Sequence, residues 1–321
     1  MEMSRKKNKK QQSRDCDKSK RIPTPPDPRA MEKIFADMHR HLEGKNFKSM
    51  DEINAYLKGV MNSGELEEPT RALTPLEQAQ ELMYEAYELK GPRRVKLARQ
   101  ALQISPDCAD AYVLLAEEAS ASLKEAKDLY AQGVEAGKRA LDPEMFVEDV
   151  GHFWGLIETR PYMRARAGLA ACLWDMGNKE EATEHYMDML RLNPGDNQGI
   201  RYEAAKCLLV LGRYEELEKL FDAYKEGSAI WLYHRALFAF AKSGDTPEAG
   251  KLLDRALHAN PHVPLYLFGN KKMPKHEPHF YGMGDENEAI IYVSQGIEAW
   301  ASVDGAIVWL ANKIMRIGEI E

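Results

Sequence analysis

From Leu76 to Val263 the apolar positions recur every three or four residues, and turns built on small residues interrupt them at regular intervals. That spacing predicts helices with one buried stripe each. Runs of β-branched residues and Asn-Gly hairpin signals are missing from this stretch, so strands are not predicted. An all-α chain with regular turns calls for a search for repeats. In RARAGLAACLWDMGNKEEATEHYMDMLRLNPGD, residues 164–196, two helices flank Met176-Gly177-Asn178. The second ends at Asn193-Pro194, because proline cannot continue the helical ladder. Ala170 and Ala182 fall where the paired helices must approach closely, and Leu169, Leu173, Tyr186 and Leu190 fill the seam.

The arrangement returns over residues 228–263, with its turn at Gly244, its close approach at Ala249 and Ala256, and its end at Asn260-Pro261. Between these units, residues 200–224 turn at Gly212 but have no closing proline. VKLARQALQISPDCADAYVLLAEEA carries the same ending at Ser105-Pro106, after which Tyr112, Leu115 and Ala116 open another unit. On these features the region from about 76 to 263 resembles the tetratricopeptide repeat. The resemblance implies an α-solenoid, a right-handed superhelix of helix pairs with a concave face lined by the first helix of each pair. Three further segments, LLAEEASASLKEAKDLY, ANPHVPLYLFGNKKMP and GDENEAIIYVSQGIEAWASVDGAIVWL, are similar to segments of the suppression-of-tumorigenicity-7 family. Relatives in that family carry membrane segments. No apolar run here approaches the roughly 18 residues that cross a bilayer, so membrane placement is not carried over.

Outside the repeats, residues 1–28 read as a disordered basic tail ending in the proline linker IPTPPDP. Residues 29–64 read as a small helical hairpin. Met31, Ile34, Phe35 and Met38 make the stripe of its first helix, and Ile53, Tyr56, Leu57 and Val60 that of its second. Val150, Phe153, Trp154 and Ile157 make one more stripe, which predicts an extra helix over 143–162, between two repeats. Residues 264–321 read as two helices, at about 286–300 and 305–317, that cap the stack.

Charge adds one feature. The chain is acidic overall, at −7, yet residues 1–21 hold nine Lys/Arg and three Asp/Glu. An acidic body is not a nucleic-acid-binding domain; only the tail could touch RNA or a ribosome, through phosphates. No apolar segment follows the basic N-terminus, as a secretory signal would require, so the expected compartment is the cytoplasm. Cys16, Cys108, Cys172 and Cys207 are far apart and suggest neither a disulfide framework nor a cysteine metal site.

Two clusters could carry chemistry. His152, Glu158 and Arg160 lie close together, but no nucleophile or opposed second carboxylate accompanies them. His276, Glu277 and His279 lack the one-turn histidine spacing of a helical zinc motif, and Pro278 interrupts them. Neither a metal nor a cofactor is predicted. The reading is therefore a protein-binding adaptor or scaffold without enzymatic activity. An RNA- or ribosome-associated factor working through the tail is the alternative, and a metal-dependent enzyme comes third. The resemblance to the repeat places Arg164, Trp174, Tyr202, Lys206, Trp231, His234, Phe238 and Lys242 in the groove, with Asp110 and Glu117 in an earlier unit. A basic and aromatic centre of this kind suits an acidic, partly apolar peptide. Ala171, Lys206 and Phe238 stand where the family's carboxylate clamp has asparagines, which argues against a chaperone-tail ligand.

Overall fold

The structure, a computed structural model, describes residues 27–43, 45, 47–63 and 71–318. The basic tail before residue 27 and the first half of the linker at 66–75 lie outside the described residues. Helices α1 (Glu32–Leu42) and α2 (Met50–Ser63) come first. Then follow the pairs α3 (Pro75–Glu88) with α4 (Pro92–Ile104) and α5 (Ala109–Glu118) with α6 (Leu123–Ala140). A short α7 (Met145–Glu148) precedes three more pairs: α8 (Arg160–Asp175) with α9 (Lys179–Leu192), α10 (Ile200–Leu211) with α11 (Tyr214–Ala223), and α12 (Ala229–Ser243) with α13 (Pro247–Ala259). The chain closes with α14 (Val263–Leu267), α15 (Glu286–Ser302) and α16 (Ala306–Gly318), and no strand occurs among the described residues. Each pair packs on itself, and the first helix of a pair packs on the second helix of the pair before it. The fold is a tetratricopeptide-like α-solenoid. No described helix is long and apolar enough to cross a membrane.

Local chemistry sets the helix ends. Thr74 and Glu77 form a reciprocal capping box at the start of α3, with Pro75 in the first turn. Ser228 and Thr246 accept the third backbone N–H of α12 and α13. Gly212 ends α10 at φ 68°, a left-handed conformation that costs glycine little. Ala170, Ala182, Ala249 and Ala256 are fully buried, so paired backbones come close where the sequence has these small residues.

Two sequence expectations change. The stripe over 143–162 is not one helix. It breaks into α7, a run of turns, a 3-10 turn at Ile157–Thr159 and the start of α8 at Arg160. Gly151 sits at φ 100°, outside helical space. The N–H groups of Gly151 and Phe153 donate to the Leu192 carbonyl at the end of α9 (2.9 and 3.3 Å) rather than along their own segment. The stripe predicts burial correctly for Phe153, which packs against the Phe146 and Tyr162 rings. Trp154 stays half-buried beneath the Arg160 guanidinium.

The C-terminal helices also divide. α16 packs on the last pair, with Trp309 stacked on Phe240 and its indole N–H donating to Asp245 (2.9 Å). α15 does not cap the stack. It turns back and lies along the first helices α12 and α10.

Candidate functional site

The face lined by the first helices is the one on which an array of this type holds its ligands, and α15 occupies its C-terminal half. Ala289, Ile290, Tyr292, Val293, Ala299 and Trp300 of α15 are buried against it. Gly296 makes room for a ring of its own helix: a Cβ there would stand 3.0 Å from the Tyr292 ring, and 3.5 Å from His234 Nε2 on α12. At one end of α15, the buried Glu288 carboxylate accepts from Ala229 N (3.1 Å), Asn260 Nδ2 (3.0 Å) and Gly284 N (2.7 Å). It thereby serves one of the orphan donors at the start of α12. Near the other end, the Glu298 carboxylate accepts from Trp174 Nε1 (2.9 Å) and Lys179 Nζ (2.6 Å). Burial acts to raise the Glu298 pKa, but the hydrogen bonds and charges of Lys179, Trp174 and Lys206 outweigh it and hold the group below its usual range.

The expected groove residues therefore do not form an open surface. Arg164 is committed to Asp110, through Nε (2.9 Å) and Nη2 (2.7 Å), and to both oxygens of Glu32. Trp174 is buried and held by Glu298. Tyr202 donates to Glu226 (2.8 Å) and meets the Trp231 ring edge-on. Lys206 pairs with Glu203 and lies over the Trp174 ring. Trp231 is fully buried and donates to the Tyr224 carbonyl (2.8 Å). Phe238 packs on Tyr214 and Phe221. Lys242 is exposed and pairs with Glu218. Repeat spacing identifies the first-helix positions, but it carries no information about a helix that arrives some fifty residues later and meets Trp174 and His234, nor about the partners that engage the others.

His234 is buried, and neither ring nitrogen has a hydrogen-bond partner. Burial, reinforced by the Lys206 charge, pushes its pKa down to about 3. An imidazole kept neutral in the fold binds a proton more readily when unfolded. Stability should therefore fall as pH drops from about 6.5 toward 3, by up to roughly 1.4 kcal/mol per pH unit. His234→Leu is expected to flatten most of that slope between pH 6.5 and 5 in urea unfolding. The smaller remainder would come from His185, also shifted down by burial and by Arg166. An unchanged slope in the variant would assign the pH dependence to other groups.

The other constellations are dispersed. His152 and Glu158 are exposed, and Arg160 turns to the Trp154 carbonyl (3.0 Å) and Glu32. His276 and His279 are both exposed in the loop before α15, where Glu277 accepts from the Ser294 hydroxyl. Among the described residues, no group of three or more His, Cys, Asp or Glu is placed to hold a metal ion. Cys108, Cys172 and Cys207 are buried free thiols. Burial pushes Cys108 and Cys207 up to about 12, far from the thiolate range.

The N-terminal half of the same face is organised by α1, which lies with its charged side inward. Glu32 meets Arg160 and Arg164, while Lys33 and Arg40 meet Glu81. The apolar stripe predicted to be buried instead points out, and Met31, Ile34 and Phe35 are more than half exposed. Beneath α1 a cleft of about 270 Å³ opens between α3, the start of α5, the end of α6 and the segment at 157–161. It has no signature in the sequence, because its walls come from five separate segments.

Residues 73–238 match the family described as ST7 protein. Among curated proteins, the chain is similar to the suppressor of tumorigenicity 7 protein-like of Rattus norvegicus, 30% identical over 243 residues, covering 68% of this chain and 43% of that protein. It is likewise similar to the protein ST7 homolog of Drosophila melanogaster, 26% identical over 255 residues, covering 71% and 47%. The chain thus spans under half the length of these relatives. Among solved structures it is similar to YrrB, described as a TPR protein with an unusual peptide-binding site, at 20% identity and a TM-score of 0.42, covering 68% of this chain and 98% of that one.

Proposed function

Because the chain belongs to the ST7 family, matched over residues 73–238, we propose that it serves as a scaffold that binds a partner protein and performs no chemistry of its own. The observation that carries this reading is the division of the first-helix face. Its C-terminal half is closed by α15, which supplies its own carboxylate, Glu298, to the basic and aromatic centre expected to receive an acidic peptide. Its N-terminal half keeps an open cleft roofed by a helix that shows apolar side chains to solvent. Clusters of exposed apolar residues beside a concavity mark interaction sites on soluble proteins. The partner in this reading engages the α1 end of the face, not the Trp174–Trp231 region.

Site-specific photo-crosslinking tests this directly. A crosslinking residue at His39 or Glu158, on the rim of the cleft, is expected to capture a discrete set of proteins from native extract. The same residue at Lys124 or Lys219, exposed on the second helices α6 and α11, is expected not to capture them. Equal capture at all four positions would remove the basis for a scaffold that works through this face.

A further inference from the structure

The cleft beneath α1 has a chemistry that specifies its ligand more narrowly. We propose that it receives one large apolar side chain of a partner peptide, and that a lysine or arginine next to that side chain pairs with Glu158 on the rim. The inference rests on the scaffold reading and deepens it.

Shape comes first. Leu76, Ala140, Leu141, Ile157 and Pro161 give the cleft an apolar lining. Its volume, about 270 Å³, lies just below the range of pockets that enclose drug-sized ligands, so it suits a single side chain. Neither α1 nor the 3-10 turn at Ile157–Thr159 belongs to a helix pair. The cleft is therefore built by this chain's additions to the array and is not a generic feature of stacked repeats.

Charge comes second. Glu43, Glu77, Glu81, Asp107 and Glu158 surround the opening with Arg40 and Arg71. Lys33 also pairs with Glu81 and Arg139 with Asp107, so of the five carboxylates Glu158 alone is left without an ion pair among the described residues. Both arginines are already engaged. Arg71 binds both oxygens of Glu77 (2.7 and 2.8 Å) and one of Glu43 (2.8 Å). Arg40 binds Asp37 and Glu81 (2.7 Å). Glu158, exposed at the mouth, forms no ion pair among the described residues. An incoming anion would meet carboxylates and no uncommitted cation, whereas an incoming ammonium or guanidinium would find Glu158 open. Complementarity of this kind selects partners even where it adds little affinity.

Fluorescence polarisation with three labelled Gly-Ser peptides tests the proposal on the full chain. One carries Phe between two lysines, one Phe between two glutamates, and one Ala between two lysines. The first is expected to bind at least about tenfold more tightly than either of the others. Glu158→Lys, a change at an exposed position, should remove about tenfold of that affinity. Ala140→Phe should block binding by filling the cleft, with the helical signal and melting temperature of both variants measured alongside. Equal binding of the three peptides, or Phe–lysine binding that survives Glu158→Lys, would overturn the proposal. If either occurred while crosslinks at His39 and Glu158 still captured discrete proteins, the ligand assignment would fail and the scaffold reading would stand. Uniform crosslinking would remove the scaffold reading itself.

Discussion

Trp300→Ala is expected to lower the free energy of unfolding by about 3–5 kcal/mol and the melting temperature by roughly 10 °C. Trp300 is fully buried in α15, its ring edge-on to Tyr233 of α12, and its indole N–H donates to the Tyr292 hydroxyl (2.6 Å). Truncation opens a cavity and orphans that hydroxyl, which lies in the same packed layer as His234. The variant also asks whether the groove can ever be vacated. Lifting α15 would expose Ile290, Tyr292, Val293 and Trp300, at about 2–3 kcal/mol each. That sum is comparable to the whole stability of a typical domain. Helical signal and tryptophan fluorescence should therefore report one cooperative transition, shifted to lower temperature in the variant. A loss below about 1 kcal/mol, or an early separate transition, would show α15 to be a detachable strap, and the groove residues around Trp174 would again be open to a partner.

What was legible in the sequence was the part written in local spacing. Asn193-Pro194 and Asn260-Pro261 mark the ends of α9 and α13, and the alanines at fixed offsets mark the close approaches within pairs. Asn260 shows where that legibility stops. As a helix terminator it can be read from its neighbours, but its amide also holds Glu288 and the Asp285 carbonyl, more than twenty residues away. Likewise AIIYVSQGIEAWAS is apolar on more than one side, the mark of a buried helix, but nothing in it says which surface buries it. The stripe over 143–162 is also silent about Gly151, which bends the backbone out of the helix. Asp110 and Arg164 both map to first helices, and those helices, α5 and α8, are neighbours once the 143–162 insert loops out. Opposite charges on adjacent positions of one face pair with each other before either meets a ligand, as Asp110 and Arg164 do.

That pairing makes Arg164→Met the most informative single change on the N-terminal half of the array. It should cost about 3–5 kcal/mol at pH 7, because it leaves the buried Asp110 and the largely buried Glu32 facing each other without the guanidinium between them. The deficit should shrink with acid, and the direction follows from Asp110. In the wild type, burial acts to raise its pKa, but the charge and hydrogen bonds of Arg164, aided by the Gln80 amide, outweigh burial and bring the value below the usual one. A carboxyl lowered in this way contributes stability above about pH 4 and loses that contribution as pH falls through its folded value. Without Arg164, only the Gln80 amide and the more distant Arg29 charge oppose burial, so the folded pKa rises and the variant recovers stability as Asp110 takes up a proton. Urea unfolding at pH 7 and pH 4.5 should show the gap between the two proteins narrowing; a constant gap would mean that Arg164 acts through packing alone. The same substitution releases Glu32, one of the contacts that seat α1 over the cleft, so limited proteolysis should cut residues 29–43 faster in the variant. A binding defect in any Arg164 variant would then report a loosened roof, not a lost contact between Arg164 and the partner.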